Sequence, residues 1–295
     1  MTPGPGQADP YDFEALAGLD RTTLPAPRTV IARDGTALAV RHYGHDARTA
    51  VVALHGMFTD GSCFHRMATD LVRRGRATVH VPDLRGHGAS GGRPGDVDHV
   101  GQLDEDLVDV LASVRAQRPG ASVVLLGHSS GGALVLRHAG AGPGAGVEGY
   151  VLLAPFLGGD APTTRRVPGG PVTVDLPRFA DIARRSAGGD PSGQDQVVLR
   201  FDPSGLPGTG LAAQAYTYRM MLSLAPRTDF ATELAAIAQP LLVVAGSLDG
   251  CFDAERYEPT IAPHAKGTFR VLPGVTHLGV LSSPPAWAAI ADWIP

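Results

Sequence analysis

The chain has 295 residues, 43% hydrophobic and 18% charged, enough apolar material for the core of one large domain or two small ones. Its 25 basic and 29 acidic residues leave a net charge of −4 with no basic block, which argues against a nucleic-acid partner. No apolar run reaches the ~18 residues of a bilayer span, and the two cysteines, Cys63 and Cys251, read as reduced thiols of a cytoplasmic protein.

Residues 1–25 are proline-rich and read as an extended arm in which Phe13, Leu16 and Leu19 could form one docked helical turn. They carry neither the basic nor the apolar region of a secretory leader. TALAVRHYG (36–44) reads as a strand, and TAVVALHG (49–56) as a β-branched run that stops at His55-Gly56. CFHRMATDLVRRG (63–75) has helical spacing and ends on Gly75, suited to a helix C-terminus. ATVHVPDLRGHGAS (77–90) is a strand running into a polar loop. Across 99–118, Val100, Leu103, Leu107, Val110, Leu111 and Val114 recur at steps of three and four. Asp104, Glu105, Asp106 and Asp109 fill the other face, which predicts an amphipathic helix.

SVVLLG (122–127) is a fully apolar strand, and GGALVLRHAG (131–140) is the helix after it. VEGYVLLAPF (147–156), PLLVVAGSLD (240–249) and TFRVLPGVTH (268–277) are further strand patterns. PPAWAAIADWI closes the chain as a helix, with proline where a missing N–H costs nothing. Strands apolar on both sides, separated by helices, imply an α/β fold: a mostly parallel central sheet with helices on both faces. Its site should lie at the carboxyl ends of the strands. About 80 residues separate the strand ending near Phe156 from the one beginning near Pro240, too many for a structureless loop. Residues 157–236 therefore read as an inserted helical cap, with helices in LPRFADIARR and LAAQAYTYRMMLSLA, and residues 26–156 and 237–295 as the core.

GHSSG (127–131) sets Ser129 between glycines, directly after an apolar strand and before an Ala/Leu helix. That context is the strand–turn–helix in which a strained serine is lifted to the rim of the sheet, with the next helix's N–H groups beneath it. A serine hydroxyl needs a base. His277 is the candidate, since it ends the last strand pattern. His128 packs beside the elbow, while His55 and His87 read as loop-shaping residues bonded to backbone. Asp249 stands 28 residues before His277, about one helix and one strand, so both reach the same end of adjacent strands. Asp253 is the alternative acid.

LHGMFTDG (54–61) would bring the Met57 N–H to face the serine, with the Ser130 N–H as the second oxyanion donor. Phe58 and Phe156, at strand ends, would wall the substrate pocket. Tyr216, Tyr218, Met220, Met221 and Leu222 read as the cap's own core, and TTRR (163–166) as a solvated charge pair. Neither H-E-x-x-H nor C-x-x-C occurs, and no G-x-G-x-x-G follows a strand, so no metal or organic cofactor is expected.

Five motifs occur in order over about residues 36–295: HGMF (55–58), PDLRGHGAS (82–90), GHSSGG (127–132), GSLD (246–249) and GVTH (274–277). Together they resemble the α/β-hydrolase superfamily, and within it the branch of monoacylglycerol lipases, lysophospholipases and proline-iminopeptidase-like enzymes. The resemblance implies Ser129 as nucleophile, His277 as base, Asp249 as acid and Met57 and Ser130 as backbone oxyanion donors. It gives Asp83 and Arg85 structural roles. The expected activity is cleavage of a small-molecule carboxylic ester through an acyl-enzyme. An acyltransferase, thioesterase or cyclase would use the same residues.

Overall fold

Eight strands make the central sheet: β1 (Arg28–Ile31), β2 (Ala37–Tyr43), β3 (Thr49–Leu54), β4 (Thr78–Pro82), β5 (Ser122–His128), β6 (Gly149–Leu153), then β10 (Leu241–Gly246) and β11 (Thr268–Leu272). They come from a computed structural model that describes residue 12 and residues 19–141, 146–165, 172–202, 213–227 and 229–295. The turn expected at Phe13 and Leu16 lies outside them. The strand order is β1-β2-β4-β3-β5-β6-β10-β11. Pairs β1/β2 and β2/β4 are antiparallel, and all the others parallel. Every residue of β3, β6 and β10 is buried. These are the runs apolar on both sides, which only a sheet covered on both faces can accommodate. β1, a four-residue edge strand, gave no clear sequence signal because it is mostly exposed.

The helix over Gln102–Gln117 buries Leu103, Leu107, Val110, Leu111 and Val114 as the spacing predicts. Val100 precedes it and is exposed. Asp106 is not on the solvated face. It is 6% exposed and takes two hydrogen bonds from Arg85, at 2.6 and 2.8 Å. Arg85 is itself 4% exposed and also pairs with Asp34 at 2.8 Å. A buried guanidinium needs such anionic partners, and the planar fork suits a carboxylate. Asp83 has the same kind of role: its carboxylate accepts from the N–H groups of Gly61 and Ala89 and from Arg41. The loop at 82–90 is thus pinned from below.

Between β6 and β10 the chain leaves the sheet. The inserted segment carries helices, and beside them a small sheet that the sequence reading did not include. β7 (Val172–Val174), β8 (Val197–Phe201) and β9 (Ala215–Thr217) form a three-stranded antiparallel sheet. Helices at Leu176–Ala187, Tyr218–Ser223 and Phe230–Ala235 accompany it. VVLRF in β8 is β-branched and aromatic, and Val198, Leu199 and Phe201 are buried. The helix expected across 211–225 is only Tyr218–Ser223, because Thr217 ends β9 and caps it, its hydroxyl accepting from the Met220 N–H. No helix among the described residues is long and apolar enough to cross a membrane. Neither cysteine is disulfide-bonded.

Candidate active site

Ser129 sits where β5 gives way to the helix Ser130–Gly140, with φ 55° and ψ −121°. A non-glycine residue held there costs on the order of 1–3 kcal/mol. The surroundings enforce it. The Ser129 N–H donates to the Leu153 carbonyl, and the Ser129 carbonyl accepts from the N–H groups of Gly132 and Phe156. Both flanking glycines are needed for close approach. A Cβ on Gly127 would run into the Gly131 backbone, and one on Gly131 into the Leu54 and His55 carbonyls. The turn after β5 therefore packs backbone to backbone against itself and against the end of β3.

Asp249 and His277 are joined, His277 Nδ1 lying 2.8 Å from Asp249 Oδ2. The other carboxylate oxygen, Oδ1, accepts from the N–H groups of Cys251 and Phe252 at 2.8 and 2.9 Å. Both side chains are nearly sealed, at 3% and 5% exposure. Since the carboxylate only accepts, Nδ1 carries a proton, and in the neutral tautomer this leaves the lone pair on Nε2. His277 does not end β11; it lies five residues past Leu272, beyond a turn at Gly274. Tertiary bonds carry that turn to β10. Ser247 and Leu248 donate to the Leu272 and Val275 carbonyls, and no side chain fits at Gly246 because the Val275 backbone lies on it. Asp253, the alternative acid, pairs instead with Arg165 and Arg256.

Ser129 and His277 line one cavity of about 410 Å³, with Met57, Phe58 and Phe156 in its wall. Among the described residues no hydrogen bond joins Ser129 Oγ to His277, and such bonds often tighten only when substrate binds. The Met57 N–H is not free to face the serine. It donates to Ser130 Oγ at 2.8 Å. A charged acceptor would draw it away from that neutral hydroxyl, because charge-assisted bonds are about twice as strong. Next in the chain, Phe58 has φ 66° and donates its N–H to the Tyr216 hydroxyl at 2.7 Å.

Sequence reasoning missed several cavity residues. Val172, Val174 and Met221 come from the inserted segment, and Cys251 and Phe252 follow Asp249. The Phe252 ring packs edge-on to the His277 ring at 5.2 Å. Met221 faces the cavity, whereas Tyr218 is buried in the insertion's own cluster and Tyr216 and Met220 join the main core. Arg165 is exposed, as a solvated charge would be, and its Nε also donates to the Asp249 and Phe252 carbonyls, bracing the Asp249 loop. Arg166 lies outside the described residues. A second cavity of about 550 Å³ shares Phe156, Gly159, Val174 and Met221 with the first and is lined further on by Leu176, Phe179 and Phe230. Among the described residues, one grouping could bring three metal-ligand atoms within 4.8 Å of one another: Asp249, Cys251 and His277. Its carboxylate and imidazole are already engaged with each other.

Four buried histidines lie on β4, just past β3, at the end of β5 and in the loop after β4. The His55 Nδ1–H donates to the Gly56 carbonyl, and its Nε2 accepts from the Leu84 N–H at 2.9 Å. His128 Nε2–H donates to the His277 carbonyl at 3.0 Å. His87 sits beneath Tyr216, and His80 lies on β4. Burial lowers all four pKa values, those of His80 and His87 to about 3. In the unfolded chain each titrates near 6.5. Between about pH 6.5 and 3 the unfolded state therefore binds protons that the folded state refuses, so stability falls as pH falls. His80 and His87 each contribute up to about 1.4 kcal/mol per pH unit in that window. Thermal melts at pH 7.5 and 5.0 should show a clearly lower midpoint at pH 5.0; equal midpoints would contradict this.

Residues 45–280 match the model of a family described as serine aminopeptidase, S33. A pyrethroid hydrolase of Sphingobium wenxiniae is 36% identical over 126 residues, 42% of each chain. Lipase LipV of Mycobacterium tuberculosis is 33% identical over 131 residues, 44% of this chain and 46% of that one. The match thus spans less than half the length of these relatives. The esterase EaEST of Exiguobacterium antarcticum shares the fold, with a TM-score of 0.64 at 20% identity, over 91% of this chain and 99% of that one.

Proposed function

The chain belongs to the serine aminopeptidase S33 family, whose fold is that of the α/β-hydrolases, and from that premise we propose that it is a serine hydrolase cleaving a carboxylic ester with an apolar acyl or alcohol part. The observation that carries this reading is the 2.8 Å Asp249–His277 bond at the wall of the cavity that Ser129 also lines. In the proposed reaction the Ser129 oxygen attacks the ester carbonyl carbon while His277 Nε2 takes its proton. The carbonyl π pair moves onto oxygen. The Ser130 N–H, at the open N-terminus of its helix, and the Met57 N–H, exchanged from Ser130 Oγ, receive that oxyanion. Each such donor is worth about 3 kcal/mol of barrier. The pair then re-forms the carbonyl and the alcohol leaves with the proton from Nε2; a water that gives its proton to the same nitrogen attacks the acyl carbon, and the Ser129 oxygen leaves with that proton as the acid is released.

An ester is favoured over a peptide with a free α-amino group by the cavity lining. Met57, Phe58, Phe156, Val172, Met221 and Leu278 make it apolar, and its charged member among the described residues is the cationic Arg165. Among the described residues that line this cavity an ammonium group would find no carboxylate, and desolvating it unpaired is costly. Residues 157–236, as a cap over the strand ends, would supply the substrate-facing wall. The test is a pair of assays on the pure protein. A fluorophosphonate should label it, with peptide mapping to Ser129. p-Nitrophenyl esters should be turned over at least about tenfold faster, by kcat/KM, than aminoacyl p-nitroanilides. An unlabelled serine would end the proposal, and faster anilide cleavage would move it to a peptidase.

A further inference from the structure

Tyr216 belongs to the inserted segment, far from Ser129 in sequence, yet it is fully buried under the loop that follows β3. Its place is set by β9. The Thr217 N–H donates to the Gly95 carbonyl at 3.1 Å, and the Thr217 hydroxyl donates to Asp96 at 2.8 Å. Arg219 closes on the same carboxylate at 2.7 Å. A Cβ on Gly95 would strike the Ala215 carbonyl, so strand and core loop lie in direct contact. The ring then packs edge-on to Phe58 at 5.2 Å, while Phe201 of β8 lies 4.7 Å from the Phe58 ring on another side.

The hydroxyl completes a chain whose direction is fixed by chemistry. His87 Nδ1 lies 2.9 Å from the Arg85 carbonyl, which can only accept, so Nδ1 carries the hydrogen. Nε2 then has a lone pair, and the Tyr216 hydroxyl, 2.8 Å away, donates to it. The hydroxyl oxygen accepts from the Phe58 N–H at 2.7 Å. The chain therefore runs Phe58 N–H to Tyr216 Oη–H to His87 Nε2, and His87 Nδ1–H to the Arg85 carbonyl. It ends on a residue locked between Asp106 and Asp34. Phe58 needs such a hold, because a phenylalanine at φ 66° would otherwise relax.

We propose that Tyr216 is a positioning residue for ester cleavage: its hydroxyl holds the Phe58 N–H and so fixes the Met57–Phe58 backbone next to Ser129. The inserted segment thereby sets the donor geometry of the core as well as covering it. This rests on the ester-hydrolase reading above, with the Met57 N–H as an oxyanion donor. Loss of the hydroxyl frees the loop by a fraction of an ångström to an ångström, a displacement that costs about 10- to 100-fold in rate when it moves a donor.

The test compares Tyr216→Phe, which keeps the ring, with Tyr218→Phe, a control in the same segment. Two readouts are taken. Hydrogen exchange should show the Phe58 amide protected in the parent and in Tyr218→Phe, and exchanging at least about tenfold faster in Tyr216→Phe. With p-nitrophenyl butyrate, kcat should fall about 10- to 100-fold in Tyr216→Phe while KM stays within about threefold, and affinity for a trifluoromethyl ketone should fall in parallel. Unchanged Phe58 exchange would overturn the hydrogen-bond chain. Faster exchange with kcat unchanged, or a loss in KM alone, would overturn its role in positioning. If the parent neither turns over esters nor reacts with fluorophosphonate, the hydrolase reading and the positioning role fall together, and the exchange result still decides whether the chain exists.

Discussion

Ser129→Ala should hydrolyse p-nitrophenyl esters about 10⁴-fold or more below the parent, with labelling by fluorophosphonate lost and the fold retained. The proposed relay acts as a unit, so removing its nucleophile leaves only binding and oxyanion stabilisation. The serine's conformation supplies an independent readout. At φ 55° the backbone is strained for any residue with a Cβ. Ser129→Gly should be equally inactive yet more stable than Ser129→Ala by on the order of 1 kcal/mol, because glycine adopts positive φ freely. A Ser129→Ala protein with more than a tenth of the parental rate would place the nucleophile elsewhere.

The second large effect is expected at the acid. Asp249→Asn should lower kcat about 10⁴-fold with little change in KM, whereas Asp253→Asn should stay within about threefold of the parent. The reason lies in what surrounds the carboxylate. Oδ1 is held by two N–H donors, from Cys251 and Phe252, so in the variant the amide carbonyl stays there and the NH₂ turns to His277. An NH₂ donates, so it forces Nδ1 to accept and moves the ring hydrogen to Nε2. The imidazole would then present a hydrogen where the mechanism needs a lone pair. Asp253 faces Arg165 and Arg256 and has no such hold on the ring. Both variants should be measured by steady-state kinetics above pH 7, and equal losses would mean that the two acids share the role.

Some features were legible because they are local. The elbow is written in five residues, with Gly127 and Gly131 at the two positions where backbone packs against backbone. The buried strands were legible because a sheet covered on both faces needs continuous apolar runs, and β3, β6 and β10 have them. Partly legible features failed where a local pattern had two solutions. LAAQAYTYRMMLSLA carries helical spacing, but Ala215–Thr217 pairs with β8, and Thr217 starts the helix only after that strand. Asp106 falls on the polar face of its helix by period, yet Arg85 draws it inward.

The sequence by itself thus determined the strained serine, the doubly covered sheet and the pool of histidines and aspartates at the strand ends, because backbone conformation and burial pattern are set within a few residues. Tertiary structure alone decided that Ser130 Oγ takes the Met57 N–H, and that a tyrosine 158 residues from Phe58 completes the loop's hydrogen bonds. Those choices depend on angstrom-scale distances between segments remote along the chain. Buried donors and acceptors must find partners wherever packing puts them, and no spacing in the sequence encodes that.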